Sequence, residues 1–425
     1  CLNNMVALML CIMFFFLALN FPMVIPMVAA PIAIIFFFFP NVNLAICIQQ
    51  LIAGVSAQVL LAVPMFILAA DIMCSGHTTK RLLDLIETFV GHIRGGMAIT
   101  TAATCTLFGA ISGSTQATVV AVGKPMRQRL AKLGYSDGES SSLIINSAII
   151  ALLIPPSISM IMYSVVTGSS VGDLFIAGVG PGILMLIVFS IYCFFYAKWA
   201  KIPTQRKATG KERVVALKKA ILPLFFPVII FAGIYSGKFS PTEAAAIAVL
   251  YALILEMIVY RTVGLKDLHR IALSTAVVTS AVFVLVASGQ LFSWVISYAQ
   301  IPQLLTDAVL GTDPSALRIL VTVTIFFFIG CMFVDSLVVI IILSPIFYPL
   351  AVQAGIDPIH LGILITLQAA IGSVSPPFGC NIFTACAIFN KPYATVVKGL
   401  PAYMAMLILI TIIVIAFPQL SLFML

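Results

Sequence analysis

The sequence predicts an all-α polytopic membrane protein built from two inverted repeats. Three observations predict it: the 425 residues are 62% hydrophobic and only 8% charged, the apolar residues form long continuous runs, and motifs recur in the two halves. A soluble domain carries roughly 25% charged residues. In a lipid core only helices and closed barrels satisfy the backbone, and continuous rather than alternating runs favour helices.

Hydropathy divides the chain into residues 1–197, a polar connector at 198–220, and residues 221–425. The first half is predicted to contain scaffold helices within 1–75, an interfacial arm at 77–95, a re-entrant hairpin at 98–123, a broken helix at 141–166 and a helix at 175–196. The second half is predicted to contain scaffold helices within 221–297, an arm at 301–316, a hairpin at 319–350, a broken helix at 362–389 and a helix at 397–423. The order of elements is therefore the same in both halves.

Matching residues in the two halves lie 221 positions apart. The pairs are Gly109 with Gly330, Ser114 with Asp335, Gly134 with Gly355, and Pro155-Pro156 with Pro376-Pro377. One match is weak. A shared offset for glycines and a double proline indicates an internal repeat, which is typical of secondary transporters.

The basic residues predict how the halves are oriented. If each hairpin enters and leaves on one side, each half has five crossings, so the halves must be inverted. With the connector in the cytoplasm, 20 of the 22 lysines and arginines lie inside, and only Lys238 and Arg318 lie outside. Cytoplasmic loops concentrate lysine and arginine. We therefore expect a bacterial inner-membrane protein with both termini periplasmic, and no cleavable signal peptide because a basic leader region is missing.

Four polar interruptions of the apolar runs predict ion sites. Two are the hairpin tips at 109–115 and 330–336, and two are the double-proline segments at 154–159 and 372–379. Proline removes a helix donor and frees carbonyls. Sodium is a hard cation that binds such carbonyls and hydroxyls at broken helices. The alternative is that the prolines merely kink packed helices.

Three acidic residues in apolar surroundings have different predicted roles. Asp335 lies well inside an apolar segment, where a carboxylate is functional by default, although a capped turn or a salt bridge is the alternative. Glu243 belongs to a capping box that begins at Ser240. Glu256 lies near a helix end, where pairing with Arg261 or snorkelling is expected.

Two other classes of protein fit less well. An intramembrane hydrolase needs a serine or cysteine beside a histidine. No HExxH motif is present. The four histidines all lie in predicted loops or interfacial stretches: His77, His92, His269 and His360. No nucleic-acid-binding motif is present either. A channel is an alternative to a carrier, and it would show flux without saturation or dependence on an ion gradient.

Five segments carry a resemblance to a known family. They are LAAD at 68–71, GAISGS at 109–114, IPPS at 154–157, PTEAAA at 241–246 and SPPFG at 375–379. With these segments the chain resembles the large membrane subunit of tripartite ATP-independent periplasmic (TRAP) transporters over nearly its whole length. In detail the resemblance is greatest to the sialic-acid type.

The resemblance implies a function and partners. It implies an elevator-type carrier, not an enzyme, for sodium-coupled uptake of a small organic acid, with sialic acid as the expected substrate. The implied partners are a small four-helix membrane subunit and a periplasmic binding protein that delivers the substrate. Sodium is the implied coupling ion, without an organic cofactor. The alternative is a sodium-coupled dicarboxylate carrier that works without a binding protein.

The resemblance also implies site residues. The first sodium site would use two hydroxyls and nearby carbonyls: Ser112, Ser114, Ala151, Ile154 and Pro156. The second, by the repeat, would use carbonyls around Gly372, Ser375 and Pro377, with Gly379 allowing close approach. Ser159 and Asp335 are expected toward the substrate or its gate. Because Asp335 stands where the first half has Ser114, the two sites cannot be chemically equal.

Overall fold

The computed structural model describes residues 2–19, 21–301, 311 and 314–425, and all regular structure in these ranges is helical. By length and composition, seven helices there could span a membrane: Gln58–Ser75, Val171–Trp199, Gly210–Tyr235, Pro241–Val259, Leu265–Tyr298, Ala316–Phe333 and Ser336–Gln353. The other helices are Leu2–Ala18, Val24–Phe38, Ala45–Val55, Thr78–Val90, Gly96–Ser112, Thr115–Lys132, Asp137–Ala148, Ile158–Thr167, Pro358–Gly372, Cys380–Phe389, Tyr393–Val396, Leu400–Ala416 and Gln419–Leu422. The all-α polytopic fold class is confirmed.

Two elements differ clearly from the hydropathy prediction. The helix Gly210–Tyr235 begins inside the predicted connector, because Thr209 and Glu212 form a capping box at its start. Its first turns carry lysine and arginine, which lower the mean hydropathy, so these turns were assigned to the connector. The helix Ala45–Val55 was not predicted, since two glutamines lower the mean hydropathy of its window. The capping box predicted at Ser240 and Glu243 is present.

The first predicted arm coincides with the helix Thr78–Val90, called the arm helix below. It buries one face, which includes Leu82 and Ile86, and packs against Gly210–Tyr235 and the first helix of the hairpin. An amphipathic helix of this kind lies naturally at a membrane interface. The second predicted arm, at 301–316, falls almost entirely outside the described residues.

Each predicted hairpin is a pair of helices joined by a very short link. The first hairpin consists of Gly96–Ser112 and Thr115–Lys132, and the second consists of Ala316–Phe333 and Ser336–Gln353. Their two tips lie at residues 113–114 and 334–335. A helix pair of this form presents backbone groups at its tip while the rest of the backbone stays hydrogen-bonded.

Each predicted broken helix is interrupted at its double proline. The first runs as Asp137–Ala148, continues as a 3₁₀ turn at Ile149–Leu152 and resumes at Ile158–Thr167. The second runs as Pro358–Gly372 and resumes at Cys380–Phe389. We call the residues between the helical pieces, 153–157 and 373–379, the first and second breaks.

The offset of 221 residues is visible in local geometry. Gly134 and Gly355 both have positive φ, at 92° and 77°, just before the broken helices. The N-cap side chains of those helices, Ser136 and Asp357, also lie at the offset. Ser114 and Asp335 likewise cap the second helix of each hairpin. The inversion of the halves across the membrane stays a prediction from the basic residues.

Small residues bring each hairpin into close contact with its broken helix. A Cβ atom added at Gly109 would lie 2.5 Å from Cα of Ala151, and one added at Gly372 would lie 2.5 Å from Cβ of Cys331. In one half the hairpin supplies the glycine, and in the other half the broken helix does. The hairpins and breaks therefore pack without room for a larger side chain.

Burial separates an inner group of helices from an outer group. Fourteen of the 17 residues of Gly96–Ser112 are buried, as are 13 of the 15 residues of Pro358–Gly372. By contrast, Leu265–Tyr298 exposes apolar side chains such as Leu273 and Val277. In a membrane protein such exposed apolar faces meet lipid. The first helix of the first hairpin and the first part of the second broken helix are thus enclosed, whereas Ala316–Phe333 of the second hairpin exposes apolar side chains such as Ile325.

Candidate transport site

The first hairpin tip concentrates hydroxyl groups. The Ser112 hydroxyl lies 3.1 Å from the Thr118 hydroxyl and donates to the Ser114 carbonyl at 3.3 Å. Thr118 donates to the same carbonyl at 2.8 Å. The Ser114 hydroxyl caps the following helix by accepting from the backbone N–H of Ala117. Ser112 and Ser114 therefore lie together at this tip, and Thr118, which the sequence analysis did not single out, joins them.

Gly113 places this tip against the first break. It adopts a left-handed conformation with φ of 60°, and a Cβ there would collide with the Pro156 carbonyl oxygen. A side chain at this position is excluded by both the conformation and the space. The carbonyls of Ile154 and Pro156 accept no backbone hydrogen bond within the described residues. The tip hydroxyls and these carbonyls offer neutral oxygens to a cation.

The second hairpin tip has a different conformation. Val334 is extended where the first half has left-handed Gly113, and Asp335 accepts a hydrogen bond from the Leu337 N–H at 2.9 Å. The Asp335 side chain is exposed on the isolated chain. The capped turn, which was the structural alternative for this residue, is therefore present. A carboxylate that accepts one cap hydrogen bond still has lone pairs for other partners.

The second break is closed by hydrogen bonds of its own. The Ser375 N–H donates to the Gly372 carbonyl at 3.1 Å, and the Gly379 N–H donates to the Ser375 carbonyl at 2.9 Å. The Pro377 carbonyl accepts from the Tyr393 hydroxyl at 3.1 Å. Each carbonyl still has a second lone pair. The predicted ligands of the second site thus lie in one compact loop, with their carbonyls partly occupied.

Gly379 lies where the loop folds back on itself. A Cβ added there would be 2.7 Å from the Ser373 carbonyl oxygen. The next residue, Cys380, has its thiol near the Asp335 carboxylate and the Gln116 side chain. Cys380 therefore lies between the two hairpin tips. Sequence reasoning missed it because nothing local marks a cysteine as central.

Aromatic contact joins the second tip to the second break. The rings of Phe333 and Phe378 lie 5.5 Å apart, and the Phe378 side chain is exposed. Ser159 belongs to the first half of the chain, where it is buried in the first turn of the helix after the first break. Ser159 and Asp335 therefore belong to different breaks and tips.

A buried hydrogen-bonded chain connects the two predicted sodium sites. The Thr115 hydroxyl donates to Oδ1 of Asn381 at 3.0 Å, and Nδ2 of Asn381 donates to the Ser373 hydroxyl at 3.3 Å. All three side chains are buried. Thr115 lies in the tip singled out from the sequence, but Asn381 and its contact with Thr115 were not predicted, because a contact across 266 residues has no local signature.

An ion cluster ties the same elements together at the end of the first hairpin. Asp137 lies 2.6 Å from Arg127 and 2.6 Å from Lys391. Hydrogen bonds from Lys391 and Arg127 hold the pKa of Asp137 below its ordinary value. The first hairpin, the first broken helix and the segment after the second broken helix are thereby joined.

Two further polar residues differ from expectation. Glu256 is fully buried and accepts from Thr78 at 2.9 Å and from Thr262, so the predicted pairing with Arg261 is wrong. His360 is buried at the start of the second broken helix, 3.4 Å from the Ser421 hydroxyl. Asp357 caps that helix rather than orienting the ring.

The fold and the oxygen-rich tips and breaks describe a helical membrane transporter. Residues 10–420 match the family described as the tripartite ATP-independent periplasmic transporter, DctM component. The chain belongs to this family and is a large permease of secondary transport. Such permeases work with a small membrane subunit and a periplasmic binding protein. The family resemblance inferred from the five segments is confirmed.

Three relatives show how similarity is distributed within the family. The chain is 53% identical to the ectoine TRAP transporter large permease TeaC of Halomonas elongata, covering 99% of this chain and 98% of the relative. It is 51% identical to the ectoine/5-hydroxyectoine permease UehC of Ruegeria pomeroyi, covering 96% and 95%. It is 34% identical to the sialic acid permease SiaM of Vibrio cholerae, covering 88% of each. The expected nearness to the sialic-acid type is therefore not supported.

One solved structure shares the fold at low sequence identity. It is the Alcanivorax borkumensis YdaH transporter, whose crystal structure revealed an unusual topology. The TM-score is 0.60 at 15% identity, over 88% of this chain and 87% of that one. The likeness concerns the fold alone.

Proposed function

We propose that this chain is the large permease of a sodium-coupled importer for ectoine or a closely similar solute. The observation that carries the proposal is the 53% and 51% identity, over nearly the whole chain, to two permeases named for ectoine. Identity to permeases named for C4-dicarboxylate and for sialic acid is 37% and 34%. Ectoine carries one carboxylate and is therefore still a small organic acid.

Sodium coupling is supported by the chemistry of the tips and breaks. Ser112, Ser114 and the carbonyls around Ala151, Ile154 and Pro156 would hold one ion. The carbonyls around Gly372, Ser375 and Pro377 would hold another, with Gly379 giving access. These are neutral oxygen donors, which suit a monovalent hard cation at a broken helix. Sodium bound there adds positive charge next to the site for the substrate carboxylate.

The substrate would lie between the hairpin tips. Ser159 and Asp335 were assigned there by resemblance, and Cys380 and Gln116 join them because the Cys380 thiol lies near the Gln116 side chain and within electrostatic range of the Asp335 carboxylate. A negative Asp335 repels a second carboxylate but tolerates a zwitterion with a cationic end. This charge balance favours ectoine over a dicarboxylate in the proposal.

An elevator movement fits the contacts that join the hairpins to the broken helices. The hairpins and broken helices, joined by the Asp137 cluster and by the Asn381 chain, would move as the transport domain. The outer helices would form the scaffold, and the arm helix would connect the two. Substrate and sodium would cross together because both sit on the moving part.

Uptake into proteoliposomes tests the substrate assignment. The chain would be reconstituted with its small subunit, and the corresponding binding protein would be added outside with labelled ectoine, 5-hydroxyectoine, sialic acid or a C4-dicarboxylate. Ectoine or 5-hydroxyectoine should be taken up at least about tenfold faster than the others at equal concentration, a difference of about 1.4 kcal/mol. Faster uptake of a C4-dicarboxylate would contradict the substrate. Full uptake without a binding protein would favour the simpler dicarboxylate-type carrier.

A further inference from the structure

We infer that Asn381 couples the two sodium sites to each other, so that occupation of one strengthens binding at the other. This inference rests on the proposed sodium coupling. It assigns to Thr115, Asn381 and Ser373 a positioning role between the sites. None of the three is a predicted ion ligand.

Asn381 holds the second break closed from one side. Its backbone N–H donates to the Ser373 carbonyl at 3.0 Å, and its Nδ2 atom donates to the Ser373 hydroxyl at 3.3 Å. Ser373 in turn donates to the Ala370 carbonyl at 2.7 Å. Since residues 373 and 381 bracket the loop with the second site's carbonyls, Asn381 sets the separation of the two ends of that loop.

The same side chain reaches the first hairpin tip from the other side. Its Oδ1 atom accepts from the hydroxyl of Thr115, which directly follows Ser114. The carbonyl of Ser114 is held by Ser112 and Thr118, so the tip is one hydrogen-bonded unit. A shift of this tip on binding sodium therefore moves the donor that Asn381 depends on.

The direction of the hydrogen bonds makes the chain continuous. The Thr115 hydroxyl donates to the Asn381 amide, the Asn381 amide donates to the Ser373 hydroxyl, and the Ser373 hydroxyl donates to the Ala370 carbonyl. Bonds in such a chain polarise one another in a low dielectric. Asn381 is fully buried, and Ser373 and Thr115 are 3% and 6% exposed, so water is poorly placed to replace a lost link.

The repeat supplies no equivalent link on the other side. At the offset of 221 residues, Met160 stands in place of Asn381 and Ser336 in place of Thr115. Met160 is buried against Gly178 and has no amide to bridge two groups. The link is therefore a single asymmetric connection, not a by-product of the repeated fold. Two sites joined by one such element have reciprocal coupling.

The test is the sodium dependence of uptake by matched variants. Thr115→Val removes the donating hydroxyl at nearly constant volume, and Asn381→Leu removes both links. Thr115→Ser retains the hydroxyl. Thr366→Val is the control, because the Thr366 hydroxyl is equally buried but donates to the Gly362 carbonyl of its own helix at 2.8 Å. Melting temperature and gel-filtration profile show whether each variant is folded.

The expected result is a cooperative sodium curve for the unchanged protein. In Thr115→Val and Asn381→Leu the Hill coefficient should fall toward one, with at least about a fivefold rise in the half-saturating sodium concentration. Thr115→Ser and Thr366→Val should keep the parent curve. Combining Thr115→Val with Ser373→Ala should add little to either change alone, because both cut the same chain.

Three results would overturn the inference while leaving sodium coupling intact. The first is a folded Thr115→Val variant with the parent Hill coefficient. The second is an equal change in Thr115→Val and Thr366→Val, which would indicate general packing. The third is a parent curve that depends on sodium without cooperativity. Uptake by the unchanged protein that ignores sodium would instead refute the proposed function.

Discussion

At the first hairpin tip, one hydroxyl has two roles. The Ser114 hydroxyl caps a helix through the Ala117 N–H, and it is also a predicted sodium ligand. Ser157 provides a matched control, since its hydroxyl caps the helix after the first break in the same way, through the Met160 N–H, and it is not a predicted ligand. Replacing an N-cap serine by alanine costs about 1 kcal/mol of stability.

Ser114→Ala should therefore differ from Ser157→Ala in sodium dependence more than in stability. We expect a rise of about tenfold in the half-saturating sodium concentration, the scale of one lost interaction with a charged group. Ser157→Ala should show the loss of melting temperature without that rise. Initial uptake rates over a range of sodium concentrations measure it. Equal sodium curves for the two variants would remove Ser114 from the ligand set.

Asp335 likewise combines a cap with a charge, and substitution separates the two. Asparagine is as good an N-cap as aspartate, so Asp335→Asn keeps the bond from Leu337 and removes only the charge. We expect uptake to fall about tenfold, equivalent to about 1.4 kcal/mol, with an unchanged melting temperature. Asp335→Ala, which removes both the cap and the charge, should lower both the uptake and the melting temperature. Normal uptake by Asp335→Asn would reduce the carboxylate to its capping role.

At this scale the sequence predicts which residues gather but not how they are connected. Glycine, serine and double proline have local meanings, so the tips and breaks could be recognised. Asn381 could not, because its role depends on Thr115, which lies 266 residues away. Glu256 was misjudged for a related reason: its partner Thr78 lies on another helix, whereas Arg261 is only near in sequence.

Among the elements, the arm helix contacts both the outer and the inner helices. Leu85 packs with Ala216 and Ala220, and Arg81 donates to the Lys219 carbonyl, so one face is attached to the outer helix Gly210–Tyr235. Asp84 and Glu87 form ion pairs with Arg129 at the end of the first hairpin. In an elevator, the ion pairs with the first hairpin must change, while the contact with the outer helix persists.

Cross-linking distinguishes these two contacts. A short thiol cross-linker joining Asp84→Cys to Arg129→Cys should stop most uptake, and reduction should restore it, because the hairpin is then held on the arm. A cross-link between Leu85→Cys and Ala216→Cys should leave at least about half of the uptake, since both lie on the fixed part. Equal inhibition by both cross-links would contradict a hairpin that moves relative to the arm.

Element boundaries could be predicted only where hydropathy and capping agree. The box at Ser240 and Glu243 was recognised because proline and glutamate stand at fixed positions in an apolar context. The box at Thr209 and Glu212 was hidden by surrounding lysines, so the helix there was taken for connector. Hydropathy averages a window and cannot show a helix that is polar at its first turns.

For the whole molecule, the inverted arrangement is the least direct prediction. Thr204, in the connector, and Gln353, at the end of the second hairpin, are exposed on opposite sides in that arrangement. Cysteines at these positions, in a background without native cysteines, should react with an impermeant reagent from opposite faces of oriented vesicles, with at least about tenfold selectivity. Labelling of both from the same face would exclude the inverted repeat.

The recognised sequence motifs predict the family but not the substrate. Four of the five recognised segments lie at a tip, at breaks or at a helix start, and LAAD lies within the helix Gln58–Ser75. Such segments identify the family and not the solute. The expectation of sialic acid came from such segments. Similarity over nearly the whole chain separates the ectoine-named relatives at 53% and 51% from the sialic-acid relative at 34%.

The central claim is that a sodium gradient drives this permease, and uptake against a gradient tests it most directly. Proteoliposomes with the chain, its small subunit and external binding protein should accumulate labelled ectoine above the outside concentration when sodium is outside. Accumulation should vanish when choline replaces sodium or an ionophore collapses the gradient. Undiminished accumulation in choline, driven by a proton gradient alone, would contradict the account.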